Sequence, residues 1–359
     1  MQPVVPDYRD GFFPLMAESL PGLVIVSGEE DFLPSVQKTS KNYEEMVTVK
    51  NIFIANRSLL WQCGVVSLGM EMNVVVLNFN TRVISTWAVA LLRRLAGRPT
   101  LLWGHVSGRN RRLHRVRHWL MRLCDGFITY TDDEREKLAR MHPGIRSFTA
   151  PNACLPRDFI RFSDHRERKH LLFVGRLEKA KRPLRAIRAF LGAAKSGAIE
   201  DDVVFYVVGR GTQREEIERL LELHSEGHRI RLLGHIADYG ELENLYSKVR
   251  FSLSPGYIGL SAMQSFAFGV PMLVSRNEPH SPEISMCEPE FNTHFISSME
   301  VSEWEDELAR ALGGEIRFAP GGEISDRIRE RYSFEEMSRR FVEAVRSVSR
   351  RDSLQSGED

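Results

Sequence analysis

Three segments of the chain place cations, glycines and hydroxyls where an apolar run gives way to a helical pattern. In residues 170–183 (HLLFVGRLEKAKRP) the run ends at Gly175, Arg176 leaves it, and Lys181 follows five residues later at a helix start. The first amides of a helix carry partial positive charge, so two cations there suit an anion such as a diphosphate. A solvated, charged helix start is the plainer alternative. Residues 203–221 (VVFYVVGRGTQREEIERLL) repeat the step through Gly209-x-Gly211. A dinucleotide fingerprint needs a third glycine, where Arg214 stands, and an acidic residue at the end of the next strand, which 230–233 does not supply. A tight turn explains this pair equally well. Residues 254–275 (SPGYIGLSAMQSFAFGVPMLVS) carry Gly256, Tyr257 and Gly259 before a helix. Amides around Gly259, Leu260 and Ser261 would cradle phosphate oxygens, and Gln264, one turn in, could reach a ribose hydroxyl.

The chain that positions these groups alternates short β-rich runs with amphipathic stretches. Residues 23–27, 73–77, 100–103 and 126–130 read as strands, with helices at 84–95 and 111–123 between them. In the 111–123 helix the spacing of Leu113, Val116, Leu120 and Leu123 turns that row toward the sheet. A proline-containing, charged segment at 150–169 interrupts the pattern. A second series follows: strands at 171–174, 203–208, 230–233, 251–254 and 272–274, helices at 183–194, 213–223, 239–247 and 261–268. Near-continuous apolar strands alternating with helices predict parallel sheets covered on both faces. The fold class is α/β with two Rossmann-like, doubly wound domains, 1–165 and 166–335. A helix at 333–350 follows, with Phe334, Met337, Phe341 and Val345 on one face, and then a frayed tail at 351–359. Ligands of such sheets bind at the carboxyl ends of the strands, which here predicts a cleft between the domains.

Taken together, GRLEKAK, VVGRG and GLSAMQSFAFGVP resemble the C-terminal, donor-binding domain of the GT-B glycosyltransferases, in particular the retaining glycosyltransferase family 4. The intermediate RLLGHIADYGELENLYSKV (231–249) is similar to that family's base-binding strand and helix. The likeness is strong over 170–285. It implies a nucleotide-diphosphate sugar donor, retention of configuration and no metal, with Arg176 and Lys181 neutralising the leaving diphosphate. The family's two glutamates, seven residues apart, fall on Gly256 and Gln264. Gln264 can still hold a ribose, whereas Gly256 cannot replace a carboxylate; a P-x-x-x-G-L loop of this kind is a known variant. In the N-terminal half, PDYRDGFFPL (6–15) resembles the family's first loop. Gly11 would let the backbone approach the donor phosphates, and Tyr8, Arg9 and Asp10 would meet the acceptor. TLLWGHVSG (100–108) puts His105 where relatives place a histidine beside the donor sugar. Asn80 and Arg82, after the 73–77 strand, are expected at the same edge, near acceptor. Asp132, Asp133 and Glu134 read as a helix start.

Other reaction classes lack their motifs: there is no G-x-S-x-G, H-E-x-x-H, P-loop or D-x-D. The four cysteines show no metal spacing and suit reduced, buried thiols. The N-terminus does not read as a signal peptide, and no apolar run reaches the length of a membrane span. With 49 Lys+Arg against 48 Asp+Glu the net charge is +1, which argues against a nucleic-acid binder. The charge is uneven, however. Residues 1–165 carry 21 basic against 16 acidic side chains, residues 166–359 carry 28 against 32. No acid lies between Glu71 and Asp125, a stretch holding ten arginines. Either it is the solvated face of packed helices or it meets an anionic membrane surface. The expected protein is a cytoplasmic, peripheral transferase that acts on a glycan or lipid-linked glycan in envelope polysaccharide or glycoconjugate synthesis. A GT-B-fold sugar-nucleotide epimerase and a catalytically silent binding subunit are the alternatives.

Overall fold

β-Branched and aromatic runs form two separate parallel sheets, each in its own unit. The computed structural model describes residues 1–32, 36–106, 114–163 and 167–355. One unit is Met1–Ala153 together with the chain from Phe334 on; the other is Cys154–Ser333. The division falls earlier than the 165/166 boundary expected from sequence. Leu155 and Ile160, inside the proline-containing segment, are fully buried in the second unit's core.

In the first unit, β1 (Ile25–Gly28) pairs in parallel with β2 (Met46–Val49), and β3 (Asn51–Ile54) with β4 (Leu59–Gln62) forms an antiparallel hairpin. β5 (Val75–Asn78), β6 (Thr100–Trp103), β7 (Gly126–Thr129) and β8 (Arg146–Thr149) make a four-stranded parallel sheet in that order. Met1 and Gln2 bridge the two parallel sheets. The Met1 amino group donates to the Val76 carbonyl at 2.8 Å, and the Gln2 amide donates to the Val26 carbonyl at 2.9 Å. The helices are α1 (Phe12–Ser19), α2 (Val65–Glu71), α3 (Ile84–Leu95), α4 (His114–Arg122) and α5 (Asp132–Met141). Since β5 to β8 are neighbours in sequence order, right-handed crossovers put α3, α4 and α5 on one face of the sheet. α4 covers the described part of the 111–123 helix, and residues 111–113 lie outside the described residues. Its row differs from the expectation: Leu120 is buried, but Val116 faces solvent.

The second unit runs β9 (His170–Val174), α6 (Pro183–Lys195), β10 (Phe205–Val208), α7 (Arg214–Leu223), β11 (Ile230–Gly234), α8 (Tyr239–Tyr246), β12 (Val249–Ser254), α9 (Leu260–Ala267), β13 (Met272–Ser275), β14 (Thr293–Ile296), α10 (Val301–Leu312) and α11 (Gly321–Arg331). The sheet order β11-β10-β9-β12-β13-β14 is parallel throughout and doubly wound. Chain direction reverses between β9 and β12, the switch point where such sheets bind ligands. One face is covered by a core that includes Phe190, Phe205 and Trp304, the other by Tyr246, Phe266 and Phe268.

The last helix, α12 (Phe334–Gln355), belongs to the first unit. It begins one residue later than expected and continues through 351–355, which the sequence assigned to a frayed tail. Phe334, Met337 and Phe341 are buried, and the Phe341 ring meets those of Phe12 and Trp103 at 5.6 and 5.0 Å. All four cysteines are free thiols, three of them buried.

Arg93 corrects the picture of an acid-poor stretch that is uniformly surface. It is fully buried, and it donates to Thr100 Oγ1 and to the carbonyls of Gly69, Met72, Asn73 and Pro99. These carbonyls end α2 and lead into β5 and β6, so one guanidinium satisfies three chain segments at once. Arg93→Leu should therefore cost about 3 kcal/mol or more by stranding buried acceptors. The neighbouring Arg94→Leu, at an exposed pair with Asp125, should cost under about 1 kcal/mol. Urea unfolding of the two variants measures the contrast.

Candidate functional site

At the switch point of the second unit, three glycines let one turn pass. The turn is Gly175 to Arg182, after β9. A Cβ on Gly209 would lie 1.9 Å from the Gly175 carbonyl oxygen, one on Gly211 2.5 Å from that of Leu177, and one on Gly256 2.5 Å from the Lys181 carbonyl carbon. Gly209 also has φ +143, outside the ordinary range of L-residues. Backbone bonds lock the crossing: Gly175 N–H to Val208 O at 3.0 Å, Leu177 N–H to Arg210 O at 2.9 Å, Tyr257 N–H to Ala180 O at 2.8 Å. Gly209 and Gly211 thus shape the turn that carries Arg176 and Lys181. Gly256, the position of the resembled family's first glutamate, is occupied on its side-chain side by backbone.

Lys181 reaches from this turn to the start of α9. Its ammonium lies 5.1 Å from the centre of the Tyr257 ring and 3.6 Å from where a Gly259 Cβ would stand. Ser281 Oγ is 3.9 Å from the same point. That hydroxyl is buried and has no hydrogen-bond partner among the described residues. The first amides of α9, at Leu260 and Ser261, are of the kind that no intrahelical carbonyl satisfies. A cation, helix-start amides and an orphaned hydroxyl therefore converge beside Gly259, where an anion with several acceptor oxygens would satisfy them. Gln264 is half-buried one turn farther along α9.

His280 braces this loop, and sequence reading missed it along with Ser281. Both lie in an irregular stretch after β13 that carries no periodic signal. The Ile258 amide donates to His280 Nδ1 at 3.2 Å, while Nε2 lies 2.7 Å from the Ser275 carbonyl. Burial first, and the Lys181 charge as well, hold the His280 pKa below its ordinary value, so the neutral ring is favoured.

At the carboxyl edge of the first unit's sheet the structure brings His105 and Arg9 into one network. His105 follows β6, Tyr130 follows β7 and Asn152 follows β8. The His105 ring packs on that of Tyr130 at 4.6 Å, and its Nδ1 is 3.4 Å from Glu134 Oε2. Glu134 is buried and also accepts from the Val106 amide at 2.8 Å. It is thus more than the helix start read from sequence, although Thr131 Oγ1 does cap α5 through the Glu134 amide. Arg9 Nη2 donates to Tyr130 Oη at 3.2 Å and Asn152 Oδ1 at 3.3 Å, with its guanidinium over the Trp103 ring at 4.2 Å. Arg9 is only 4% exposed, so it supports this edge from within rather than presenting itself to an acceptor. Arg117 of α4 bonds the His105 carbonyl, and burial pushes its pKa down to about 10 against the pull of Glu134. Nothing in the local sequence tied Tyr130, Glu134, Asn152 or Arg117 to His105, because elements well separated in the chain bring them together.

The remaining expected residues divide. Tyr8 is exposed beside Arg9, and Asp10 Oδ1 accepts from Tyr43 Oη at 2.8 Å. A Cβ on Gly11 would sit 2.5 Å from the Phe334 ring, so this glycine makes room for α12. Asn80 and Arg82 bond each other and the turn between β3 and β4. Asn80 Oδ1 accepts from the Arg82 amide, while the Arg82 guanidinium bonds the carbonyls of Arg57 and Ser58 and lies over Phe32.

A histidine whose folded pKa is depressed contributes stability above about pH 6.5, its unfolded value, and loses it as pH falls from there. The melting temperature should therefore drop between about pH 7 and pH 5. In His280→Asn, whose amide oxygen can still accept from Ile258, part of that slope should vanish; paired pH titrations of both proteins measure it.

Residues 157–317 match the family model "Glycosyl transferases group 1". No curated protein sequence matches the chain. Among solved structures, the chain is similar to sucrose-phosphate synthase from Thermosynechococcus elongatus, at 16% identity and TM-score 0.65, over 94% of this chain and 93% of that one. It is similar to Anabaena HepE, solved in complex with UDP, at 14% identity and TM-score 0.61, over 84% and 86%. It is also similar to the pneumococcal O-GlcNAc transferase GtfA, solved with UDP and GlcNAc, at 18% identity and TM-score 0.60. That match covers 79% of this chain but spans only 59% of GtfA. The second unit is thus similar to the glycosyl transferases group 1 family, and the chain shares with these structures the GT-B fold of two parallel α/β units.

Proposed function

We propose that the protein is a retaining, metal-independent glycosyltransferase. It moves a sugar from a nucleotide-diphosphate sugar to a hydroxyl of a glycan or lipid-linked glycan, in the building of an envelope polysaccharide or glycoconjugate. The observation that carries this reading is the convergence beside Gly259 of the Lys181 ammonium, the α9 amides and the buried, unpartnered Ser281 hydroxyl. A diphosphate would bring negative charge and acceptor oxygens to all three. Arg176, on the same turn, adds the second cation, and Gln264 is the candidate for the ribose. UDP, present in the HepE and GtfA complexes, is the first nucleotide to try.

In this reading the bond between the anomeric carbon and the diphosphate oxygen breaks while positive charge at Arg176 and Lys181 stabilises the leaving group. The acceptor oxygen bonds the same carbon on the same face, and its proton passes to the departing phosphate oxygen. Gly256 offers no carboxylate to the sugar. That contact is assigned to His105, held by Glu134 and Tyr130, with Tyr8 and Asp10 nearest the acceptor. No helix among the described residues is long and apolar enough to cross a membrane. Work on a lipid-linked acceptor would then need attachment at the surface, on the cytoplasmic face of an anionic membrane.

Two sets of variants test the reading. Lys181→Ala and Arg176→Ala should each lower kcat by about 100-fold, the scale of losing one pre-placed charge on the leaving group. Release of nucleoside diphosphate from a panel of sugar donors, with and without acceptor, is the measurement. Unchanged turnover in both variants would sink the assignment. Sugar conversion without nucleotide release would indicate an epimerase instead. Glu134→Gln should impair turnover while leaving nucleotide affinity intact, because Glu134 holds His105 and the Val106 amide in the first unit, whereas the groups proposed for the nucleotide belong to the second.

A further inference from the structure

α3 and α4 each carry an apolar row on the side away from the core. On α3, Val89, Ala90 and Arg93 are buried, whereas Leu91 and Leu92 are exposed and Leu95 is 76% exposed. On α4, Leu120 and Met121 are buried, whereas Val116 is 39% and Trp119 66% exposed. The crossover rule puts the two helices side by side on one face of the β5–β8 sheet. An exposed tryptophan among exposed leucines is the composition of a bilayer interface, where an aromatic ring with one polar atom is at home. Around these rows Arg94, Arg98, Arg115 and Arg122 are exposed, and the sequence from 72 to 124 contains no acid to neutralise them. Asp125 takes part of the Arg94 charge at 3.6 Å.

We propose that this face docks on an anionic lipid bilayer, its leucines and Trp119 entering the boundary between headgroups and acyl chains while the arginines pair with lipid phosphates. This deepens the surface attachment in the functional reading above and rests on that reading only for its purpose, not for its evidence. The charge pattern selects this occupant. A second copy of the chain using the same face would set arginines against arginines. A nucleic-acid backbone would match the arginines but leave the leucines without a partner. A bilayer of anionic lipid satisfies both at once, with apolar burial and electrostatic attraction adding.

The test uses the full chain sedimented with vesicles of phosphatidylcholine alone or mixed with phosphatidylglycerol. Binding is expected to the mixed vesicles, weak binding to the neutral ones, and a decline with salt. The pair Leu95→Ser and Trp119→Ser should weaken binding by about tenfold or more, as should Arg98→Gln with Arg115→Gln. A blue shift of tryptophan emission on binding should be lost in Trp119→Phe. Vesicle binding that survives both pairs of substitutions overturns the proposal, as does a wild-type chain that stays in the supernatant when the mixed vesicles are sedimented. So does a dimer in sedimentation velocity that the Leu95/Trp119 pair dissolves, which would assign the face to a second copy. UDP affinity is measured on every variant. Lost vesicle binding with intact UDP affinity separates this face from the donor site, and failure to bind UDP in the wild type bears on the functional reading alone.

Discussion

The second unit depends on one steric constraint, the passage of the turn after β9 between two other backbone segments. Gly209, Gly211 and Gly256 each face backbone at a distance that a side chain could not share. Hydrogen bonds from Gly175, Leu177 and Tyr257 hold the turn against both neighbours. Because the backbone of the turn is held, the Lys181 side chain starts from a defined place and its ammonium lies beside Gly259 at the start of α9. In the proposed reaction, a cation held in place in this way would stabilise the developing negative charge with little rearrangement. The same constraint accounts for Gly256. The space that any side chain would need there is filled by the backbone of residues 180 and 181.

The first unit solves a different problem, that of giving a strand-end histidine a single orientation. Glu134 and Tyr130 hold the ring of His105 from two sides, and Arg117 fastens its carbonyl. Arg9 ties Tyr130 to Asn152 and rests on Trp103, whose other contacts include Phe12 and Phe341. The terminal helix α12 thus contributes packing under the same edge, and Gly11 is needed because Phe334 lies against it. The buried Arg9 guanidinium gains cation–π attraction from the aromatic faces and two hydrogen bonds through Nη2, while Nη1 is buried with no hydrogen-bond partner among the described residues.

The ten arginines of the acid-poor stretch do not share one role. Arg93 is an internal clamp on five acceptors, Arg82 braces the hairpin region, and Arg117 serves the His105 edge. Arg94, Arg98, Arg115 and Arg122 remain at the surface. Arginine suits all of these tasks because its planar fork can bond several carbonyls or stack on a ring while keeping its charge.

Strand and helix periods made the α/β class legible, and glycines after strand ends made the turns of the second unit legible, because both patterns are local. Strands 100–103 and 126–130, helix 84–95 and most of the second series lie within a residue or two of their expected bounds. β2, β3, β4, β8 and β14 carried no comparable signal; each is short, and several mix exposed with buried positions. Resemblance at GRLEKAK and GLSAMQSFAFGVP located Lys181 and Gly259, since motif spacing is a property of the chain. Ser281, His280, Glu134, Tyr130 and Asn152 became visible only in three dimensions. Each gains its meaning from a partner many residues away, and no periodicity or spacing records which strand ends will be neighbours. The sequence by itself determined the layered α/β architecture and the charge of the acid-poor stretch. Tertiary structure alone decided which arginines are buried and which are exposed, because burial depends on what packs against a side chain, not on its type.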